Sequence, residues 1–353
     1  MIEHLAPGTV LRDTYTILQK LGEGAFSEVF LVRHKFLGLQ AMKVFKSVSL
    51  SPTYDQFKEA FLLSKVAHPN VVRIFEANKI RTTEGERCYI TMEYLSGGTL
   101  QICLAKRPPL PIEAALAIQK QICSGLSTAH GQTPPVVHRD IKPQNILVDE
   151  HGPELHIKIA DFGLAKNIDP RLRMVSAHGT WVYMPPEGFL NYETPASDVY
   201  SAGLVFYQML TGRFPFPLIE YENDQRFRLA LAKSRAAAPA APSSFRKEIP
   251  VTLDSVCLRA LQPELKKRFQ SAMEFLSALE SIEARLGESD RRGQPPIPRT
   301  PAQDKALRAI QTGRQYAGLE QAIDMLEESI KEEPGLRDQY GKILAQWKSG
   351  VVL

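Results

Sequence analysis

Apolar and polar residues alternate along much of the first hundred residues, and this pattern predicts a region built mostly of β-strands. The runs "YTILQKL", "SEVFLVRH", "LQAMKVF", "NVVRIFEANKI" and "RCYITMEYL" each alternate over strand-like lengths. Between the third and the fourth run, residues 54–67 repeat apolar positions at helical spacing and predict one helix. The alternation ends at Gly97–Gly98, where a different kind of region begins.

The residues after this glycine pair follow a helical pattern. Residues 112–130 and 197–212 form long, nearly apolar stretches, which predict helices buried in a core. Only the short runs "NILVD" and "HIKIAD" between them predict strands. Residues 287–302 are rich in proline and polar side chains and predict a linker. Beyond it, residues 303–353 predict further helices, with a break at Pro334.

Composition and charge narrow the class of protein. The 353 residues are 44% hydrophobic and 23% charged, with a net charge of +4, which is typical of a globular protein without a nucleic-acid-binding surface. The four cysteines are scattered and predict reduced core thiols. No signal peptide and no run of 18 apolar residues is found, so we expect a cytoplasmic protein that makes no contact with a membrane.

The segment "VVHRDIKPQNILVD" (136–149) concentrates charged and amide side chains between two apolar runs. A solvated turn is one interpretation, and a site of phosphoryl transfer is the other. Asp140 could accept a proton from an attacking hydroxyl, and Lys142 could neutralise the transferred phosphoryl group. Asn145, together with Asp161 in "IADFGLA", offers oxygen atoms of the kind that Mg²⁺ binds.

Two features of the first hundred residues fit the second interpretation. In "LGEGAFSEVF", Gly22 and Gly24 lie between two predicted strands, where backbone N–H groups could approach phosphates, although such a turn is also common in plain hairpins. Lys43 lies within the apolar run "AMKVF", which favours a position in a cleft over a solvent-exposed edge, and Glu59 on the following helix is an available acidic partner.

At this point the chain resembles a eukaryotic-type (Hanks-type) Ser/Thr protein kinase, with a domain end similar to the bacterial members. The motifs occur in order from about Tyr15 to Leu286: the glycine-rich loop, Lys43, Glu59, "HRDIKPQN", "DFG", "PPE", "SDVYSAG" and "PELKKRF". Two departures are small, with Ser27 in place of the third glycine and Pro185 in place of an alanine. The resemblance implies an α+β, bilobal protein kinase fold followed by a helical C-terminal segment.

The resemblance also implies a role for each matching residue. The implied catalytic residues are Asp140 and Lys142, and the implied metal ligands for Mg²⁺ (or Mn²⁺) are Asn145 and Asp161. The implied ATP-binding residues are Gly22, Glu23, Gly24, Val29, Ala41, Lys43, Glu59, Met92, Glu93, Leu95 and Leu147. The implied architectural residues are Glu187, Asp198 and Arg268. The implied regulatory residues are Arg139, Ser176 and Thr180, with Ser176 as a candidate activating phosphosite or else a plain exposed serine.

The implied domain order starts with an N-terminal extension (1–14), followed by a β-rich N-lobe (15–95) and a helical C-lobe (96–286). A linker (287–302) and a helical segment (303–353) complete it. The last segment resembles tetratricopeptide repeats weakly, and a generic helical hairpin is the alternative. The implied activity is transfer of the γ-phosphoryl group of ATP to protein Ser/Thr hydroxyls. A pseudokinase scaffold, acting on a protein partner through the helical tail, and a small-molecule kinase are the other two hypotheses.

Overall fold

We analysed a computed structural model of the chain. The structure describes residues 5–24, 27–46, 66–83, 85–106, 108–149, 155–162, 181–190, 192–217, 230, 232–293, 300–313 and 319–348. The predicted helix at residues 54–67 therefore lies almost entirely outside the described residues. The chain divides into two compact units, Met1–Glu283 and Ala284–Leu353.

The first part of unit one is an antiparallel sheet of six strands. They are β1 (Val10–Leu11), β2 (Tyr15–Glu23), β3 (Ser27–His34), β4 (Gly38–Phe45), β5 (Ile74–Thr82) and β6 (Gly85–Glu93), in the order β1-β2-β3-β4-β6-β5. The alternation in the sequence places one set of apolar side chains on each face. One face carries a core around Met42 and Tyr89, and the other carries a core around Ala41 and Ile90.

The rest of unit one is mainly helical, as the sequence predicts. The longer helices among its described residues are α1 (Leu100–Lys106), α2 (Ile112–His130), α3 (Pro195–Thr211), α4 (Val251–Ala260) and α5 (Ala272–Gly293), and α5 crosses the boundary between the units. A two-stranded antiparallel sheet, β7 (Ile146–Asp149) and β8 (His156–Ile159), stands between α2 and α3 in the chain. This arrangement confirms the predicted fold class, with a β-rich N-lobe and a helical C-lobe.

Helix α3 is buried along nearly its whole length because its sequence is almost entirely apolar. Its start is fixed by a capping box, in which Thr194 and Ser197 satisfy each other's backbone N–H groups, and by Pro195 in the first turn. It ends at Gly212, whose φ of 67° lies in the left-handed region that favours glycine. A rigid central helix with defined ends gives the neighbouring loops a fixed support.

Unit two contains α6 (Pro301–Gly313), α7 (Leu319–Glu332) and α8 (Leu336–Lys348). They share a core of small and aliphatic side chains together with Trp347, which is only 4% exposed. The predicted linker (287–302) needs correction at both of its ends. Residues 287–293 continue α5, because "ESDRR" contains no helix breaker, and α6 already begins at Pro301. Among the described residues, no helix is both long and apolar enough to span a bilayer.

Candidate active site

The predicted catalytic loop, residues 138–145, is bound at its beginning by a side chain from the first turn of α3. Asp198 accepts hydrogen bonds from the backbone N–H of His138 (2.7 Å) and of Arg139 (2.8 Å), and its other contact is the His130 ring (2.9 Å). Burial disfavours the charge of Asp198, but the hydrogen bonds and the charges around it, those of His130 first, together outweigh burial and keep the pKa of Asp198 below its usual value. Asp198 therefore fixes the backbone just before Asp140.

His138 supports the same loop from within the core. Its Nδ1 accepts the backbone N–H of Asp140 at 3.2 Å, so the ring proton is on Nε2, which donates to the carbonyl of Ala160 at 3.0 Å. Burial lowers the pKa of His138, more than the nearby Asp198 raises it, and this keeps the ring neutral. One imidazole thus connects the loop that carries Asp140 to the strand end that carries Asp161.

The side chain of Asn145 fixes the carboxylate of Asp140. Its Nδ2 donates to the Asp140 backbone carbonyl (2.8 Å) and to Oδ2 (3.0 Å), so the amide Oδ1 is the atom that could ligate a cation. Lys142 Nζ lies 2.8 Å from the same Oδ2. The backbone of Asn145 in turn accepts the N–H of Ala160 at 2.9 Å. The side chains of Asp140, Lys142 and Asn145, predicted as the base, the phosphoryl-stabilising lysine and a metal ligand, are therefore adjacent.

Asp161 follows β8 and contacts the predicted phosphate-binding lysine across the cleft. Lys43 Nζ on β4 lies 2.7 Å from Asp161 Oδ1, although 118 residues separate the two in sequence. Burial alone would raise the pKa of Asp161, but the charge of Lys43 holds it below the usual value. Asp161 is therefore ionised near neutral pH, as a metal ligand must be.

Two non-glycine residues beside the site have positive φ, Arg139 at 69° and Asp161 at 59°. This backbone conformation costs free energy and persists where the surroundings enforce it, as they often do at functional sites. The side chain of Arg139 lies near a carboxylate, because its Nε is 3.8 Å from Oε2 of Glu193. The Glu193 side chain is only 5% exposed. Glu193 lies outside every motif, so nothing in the sequence pointed to this contact.

The residues predicted to enclose adenine form one apolar cluster. Ala41 and Met92 pair across β4 and β6, and they pack with Val29, Leu147 and Ala160. Leu95, which follows the end of β6, is also buried. Glu93 donates its backbone N–H to the carbonyl of Arg73 at 3.0 Å, so the backbone of this residue could bind adenine only through its carbonyl, as the acceptor of a hydrogen bond.

The glycine-rich loop is a hairpin between β2 and β3, with residues 25–26 outside the described part. The backbone N–H of Gly24 donates to the carbonyl of Ser27 at 2.8 Å. A Cβ added at Gly22 would meet no atom within 4 Å, so the space next to Gly22 is open. The Glu23 side chain, between the glycines, pairs with Lys20 at 2.6 Å and with Lys46. These lysines, Lys20 first, lower the pKa of Glu23 to about 2.

The predicted architectural pair meets inside the C-lobe. Arg268 is 1% exposed and donates from Nη1 (2.7 Å) and Nη2 (3.2 Å) to the two carboxylate oxygens of Glu187. Ser197 donates to the same carboxylate at 2.7 Å. Three predicted residues, Glu59, Ser176 and Thr180, lie outside the described residues.

The oxygen atoms of the site are of the kind that binds Mg²⁺. Asn145 and Asp161 offer two oxygen ligands, and Mg²⁺ usually takes a few protein oxygens and completes its shell with water and phosphate oxygens. Among the described residues, no group of three or more His, Cys, Asp and Glu side chains forms a self-sufficient metal site.

Comparison with known proteins decides the family. The model of the protein kinase domain matches residues 15–279. The chain belongs to the protein kinase family. It is 32% identical to a probable serine/threonine-protein kinase of Clostridium perfringens over 78% of this chain and 39% of that protein. It is also 32% identical to the serine/threonine-protein kinase PknB of Mycobacterium leprae, over 81% of this chain and 44% of that protein.

A solved structure shows the same fold. The PknI kinase domain of Mycobacterium tuberculosis is 26% identical, with a TM-score of 0.57, over 79% of this chain and 99% of that domain. The kinase chain spans less than half the length of the two curated relatives named above. Family membership confirms the sequence-based identification as a Hanks-type kinase.

Proposed function

We propose that this chain is an ATP-dependent Ser/Thr protein kinase that uses Mg²⁺ and transfers the γ-phosphoryl group of ATP to protein hydroxyls, including its own. The observation that carries the proposal is the convergence of Asp140, Lys142, Asn145, Asp161 and Lys43 in one cleft. The kinase family and relatives described as serine/threonine-protein kinases support it.

In the proposed reaction the Asp140 carboxylate orients the attacking hydroxyl and takes its proton. Asn145 holds this carboxylate in place, and Lys142 stabilises charge on the transferred phosphoryl group. Lys43 would bind the α- and β-phosphates, while Val29, Ala41, Met92 and Leu147 would enclose adenine. Mg²⁺ at Asn145 and Asp161 would neutralise charge on the phosphates.

If the chain were a pseudokinase scaffold, we would expect residues of the site to be missing or displaced. The described residues do not fit this hypothesis. Lys43 and Asp161 are paired at 2.7 Å, and Asn145 still holds Asp140. A protein partner for residues 303–353 and activation through Ser176 remain predictions, because no observation bears on them.

The test is mass spectrometry of the purified chain, incubated with and without Mg²⁺ and ATP and with a generic protein substrate. We expect added phosphate on the wild type, and on neither Asp140→Asn nor Lys43→Ala. The absence of phosphate on the wild-type chain and on the substrate would contradict the proposal. The mapped positions would also show whether Ser176 is modified.

A further inference from the structure

Five charged side chains of alternating sign form one network at the end of the six-stranded sheet. In order of contact, they are Lys46, Glu23, Lys20, Glu28 and Arg87. Lys20 lies 2.6 Å from Glu23 and 2.9 Å from Glu28. The three central members belong to the glycine-rich hairpin (20–24 and 27–29), whereas Lys46 follows β4 and Arg87 lies on β6. The network therefore ties the hairpin to the two strands beside it.

Arg87 is the least exposed member of this network. Its side chain is 11% exposed, compared with 20% for Glu28. Its Nη2 lies 2.9 Å from Oε2 of Glu28, and its Nε donates to the backbone carbonyl of Phe45 at 2.8 Å. Phe45 lies one residue beyond the last paired residues of β4 and β6, Val44 and Tyr89. One planar guanidinium thus fixes two acceptors, the end of β4 and the carboxylate on β3.

Glu28 joins the hairpin to this arginine. Burial raises the pKa of Glu28, but the hydrogen bonds from Lys20 and Arg87, together with their charges, outweigh burial and hold the pKa below its usual value. The carboxylate is therefore ionised near neutral pH and keeps both charged partners. An isolated exposed ion pair contributes little to a structure, whereas a partly buried pair within a network can hold a defined geometry.

The network lies on the face of the sheet opposite the predicted adenine site. Val29 packs with Ala41 in the cluster that faces adenine, and Glu28, the residue before it, points to the other face because side chains alternate along a strand. Tyr89, two residues after Arg87, belongs to the core of that other face. An effect of Glu28 or Arg87 on a nucleotide must therefore act through the backbone of the hairpin.

The backbone pairing of β2 with β3 is irregular where the hairpin begins. Its register shifts between Ile17 and Gln19, and again between Lys20 and Gly22. Such a shift interrupts the ladder of hydrogen bonds and changes the local bend and twist of the strand. Gly22, predicted to lie near the phosphates, comes directly after the second shift. Contacts from neighbouring strands are therefore needed to fix the position of this end of the hairpin.

We propose that Arg87 is a positioning residue for the phosphate groups of ATP. It holds Glu28, and through Glu28 and Lys20 it fixes the hairpin so that the backbone around Gly22 stays within reach of the phosphates. Arg87 thus sets the affinity for ATP without touching the nucleotide. This inference rests on the ATP binding of the proposed function.

The test compares two ligands, adenosine and the non-hydrolysable ATP analogue AMP-PNP with Mg²⁺, by isothermal titration calorimetry. In Arg87→Met, methionine keeps much of the volume but has no strong hydrogen-bond donor. We expect the Kd of AMP-PNP to rise about tenfold, as for the loss of one charge-assisted hydrogen bond. The Kd of adenosine, which has no phosphates, should stay within about twofold of wild type. Equal rises for both ligands would show general loosening of the cleft, and the inference would be wrong.

The matched control is Arg12→Met. Arg12 also contacts a carboxylate and the outer face of the sheet, since its Nη1 lies 3.5 Å from Glu76 and 3.4 Å from the Tyr89 hydroxyl. In the described part of the chain, neither of these partners belongs to the glycine-rich hairpin. The Kd of both ligands should therefore stay at the wild-type value. A rise for AMP-PNP as large as in Arg87→Met would contradict a specific role of Arg87.

Glu28→Gln provides a second test, also if Arg87→Met does not fold. It keeps the shape and removes the charge that binds Lys20 and Arg87, so the Kd should again rise for AMP-PNP and not for adenosine. The double variant should bind AMP-PNP about as weakly as the weaker single variant, because both changes break the same contact. Additive losses would contradict the inference.

Two further outcomes separate this inference from the proposed function. Folded variants that bind AMP-PNP as tightly as wild type would overturn the role of Arg87 alone. A wild-type chain that binds no AMP-PNP would instead overturn the proposed function, and this inference with it.

Discussion

Asp198 and Asp161 are two ionised carboxylates of the same lobe with opposite surroundings. The Asp198 side chain is 1% exposed and accepts two backbone N–H groups besides its His130 contact. The Asp161 side chain is 40% exposed and faces Lys43 across the cleft. A carboxylate whose acceptor sites are taken up by the protein fixes shape, whereas one that keeps an exposed surface can still bind a ligand. Within one site, Asp198 is therefore suited to hold the backbone in place, and Asp161 is suited to bind a ligand.

The largest expected effect in this comparison is a loss of turnover in the Asp161→Asn variant. Loss of the charged oxygens should lower turnover by at least about 10³-fold, because electrostatic stabilisation and metal binding are lost together. The melting temperature should stay close to that of wild type, since the side chain is partly exposed. Rates of phosphate transfer at saturating Mg²⁺ and ATP measure this.

Glu274→Gln is a matched control for that variant. Glu274 is also paired with a cation, Arg259, and its side chain is similarly exposed (39%), but its partners are Arg259 on α4 and the backbone of Gln270, neither of which is a residue of the site. It should keep full turnover. Turnover in Asp161→Asn within tenfold of wild type would show that Asp161 is not a catalytic carboxylate.

The next largest effect is on stability in Asp198→Ala. Two backbone N–H groups, a buried one at His138 and a partly buried one at Arg139, would lose their acceptor, which should cost about 3 kcal/mol of the free energy of unfolding. Urea denaturation measures this, with Asp161→Asn as the comparison. Equal stability of the two variants would remove the distinction drawn above.

The third effect is the dependence of stability on pH. His138 has a pKa lowered by burial, so protons bind the unfolded chain more readily, and stability should fall as the pH drops below about 6.5. Asp198 also has a lowered pKa, so its contribution should be lost only at more acidic pH, below about 4. In His138→Asn the first loss should shrink and the second should remain. A wild-type stability that does not change between pH 7 and 5 would contradict the first expectation.

The smallest effect is expected for Glu23→Gln. Glu23 is ionised and paired with Lys20 and Lys46, yet its side chain is half exposed, so solvent and salt screen the pairs. We expect no measurable change in melting temperature and a slight rise in the KM for ATP that disappears at high salt. A large loss of stability would show that exposed pairs contribute here as much as buried ones.

The sequence predicted the strands of the N-lobe and the buried helices because their apolar spacing directly reflects which side faces the core. It also predicted that Asp140, Lys142 and Asn145 lie together, since they belong to one short local motif. The contact between Glu193 and Arg139 could not be predicted, because Glu193 lies outside every motif and the two residues meet only in the folded chain. The continuation of α5 was missed because a polar run favours a helix and a linker alike until Pro295.

The burial of Trp347 provides an optical probe. The chain has two tryptophans, and Trp181 belongs to the first compact unit while Trp347 is packed in the core of the second. In Trp181→Phe, all remaining indole emission comes from the second unit. A red shift of that emission with denaturant would then report the unfolding of the C-terminal helices alone, while far-ultraviolet circular dichroism follows the whole chain.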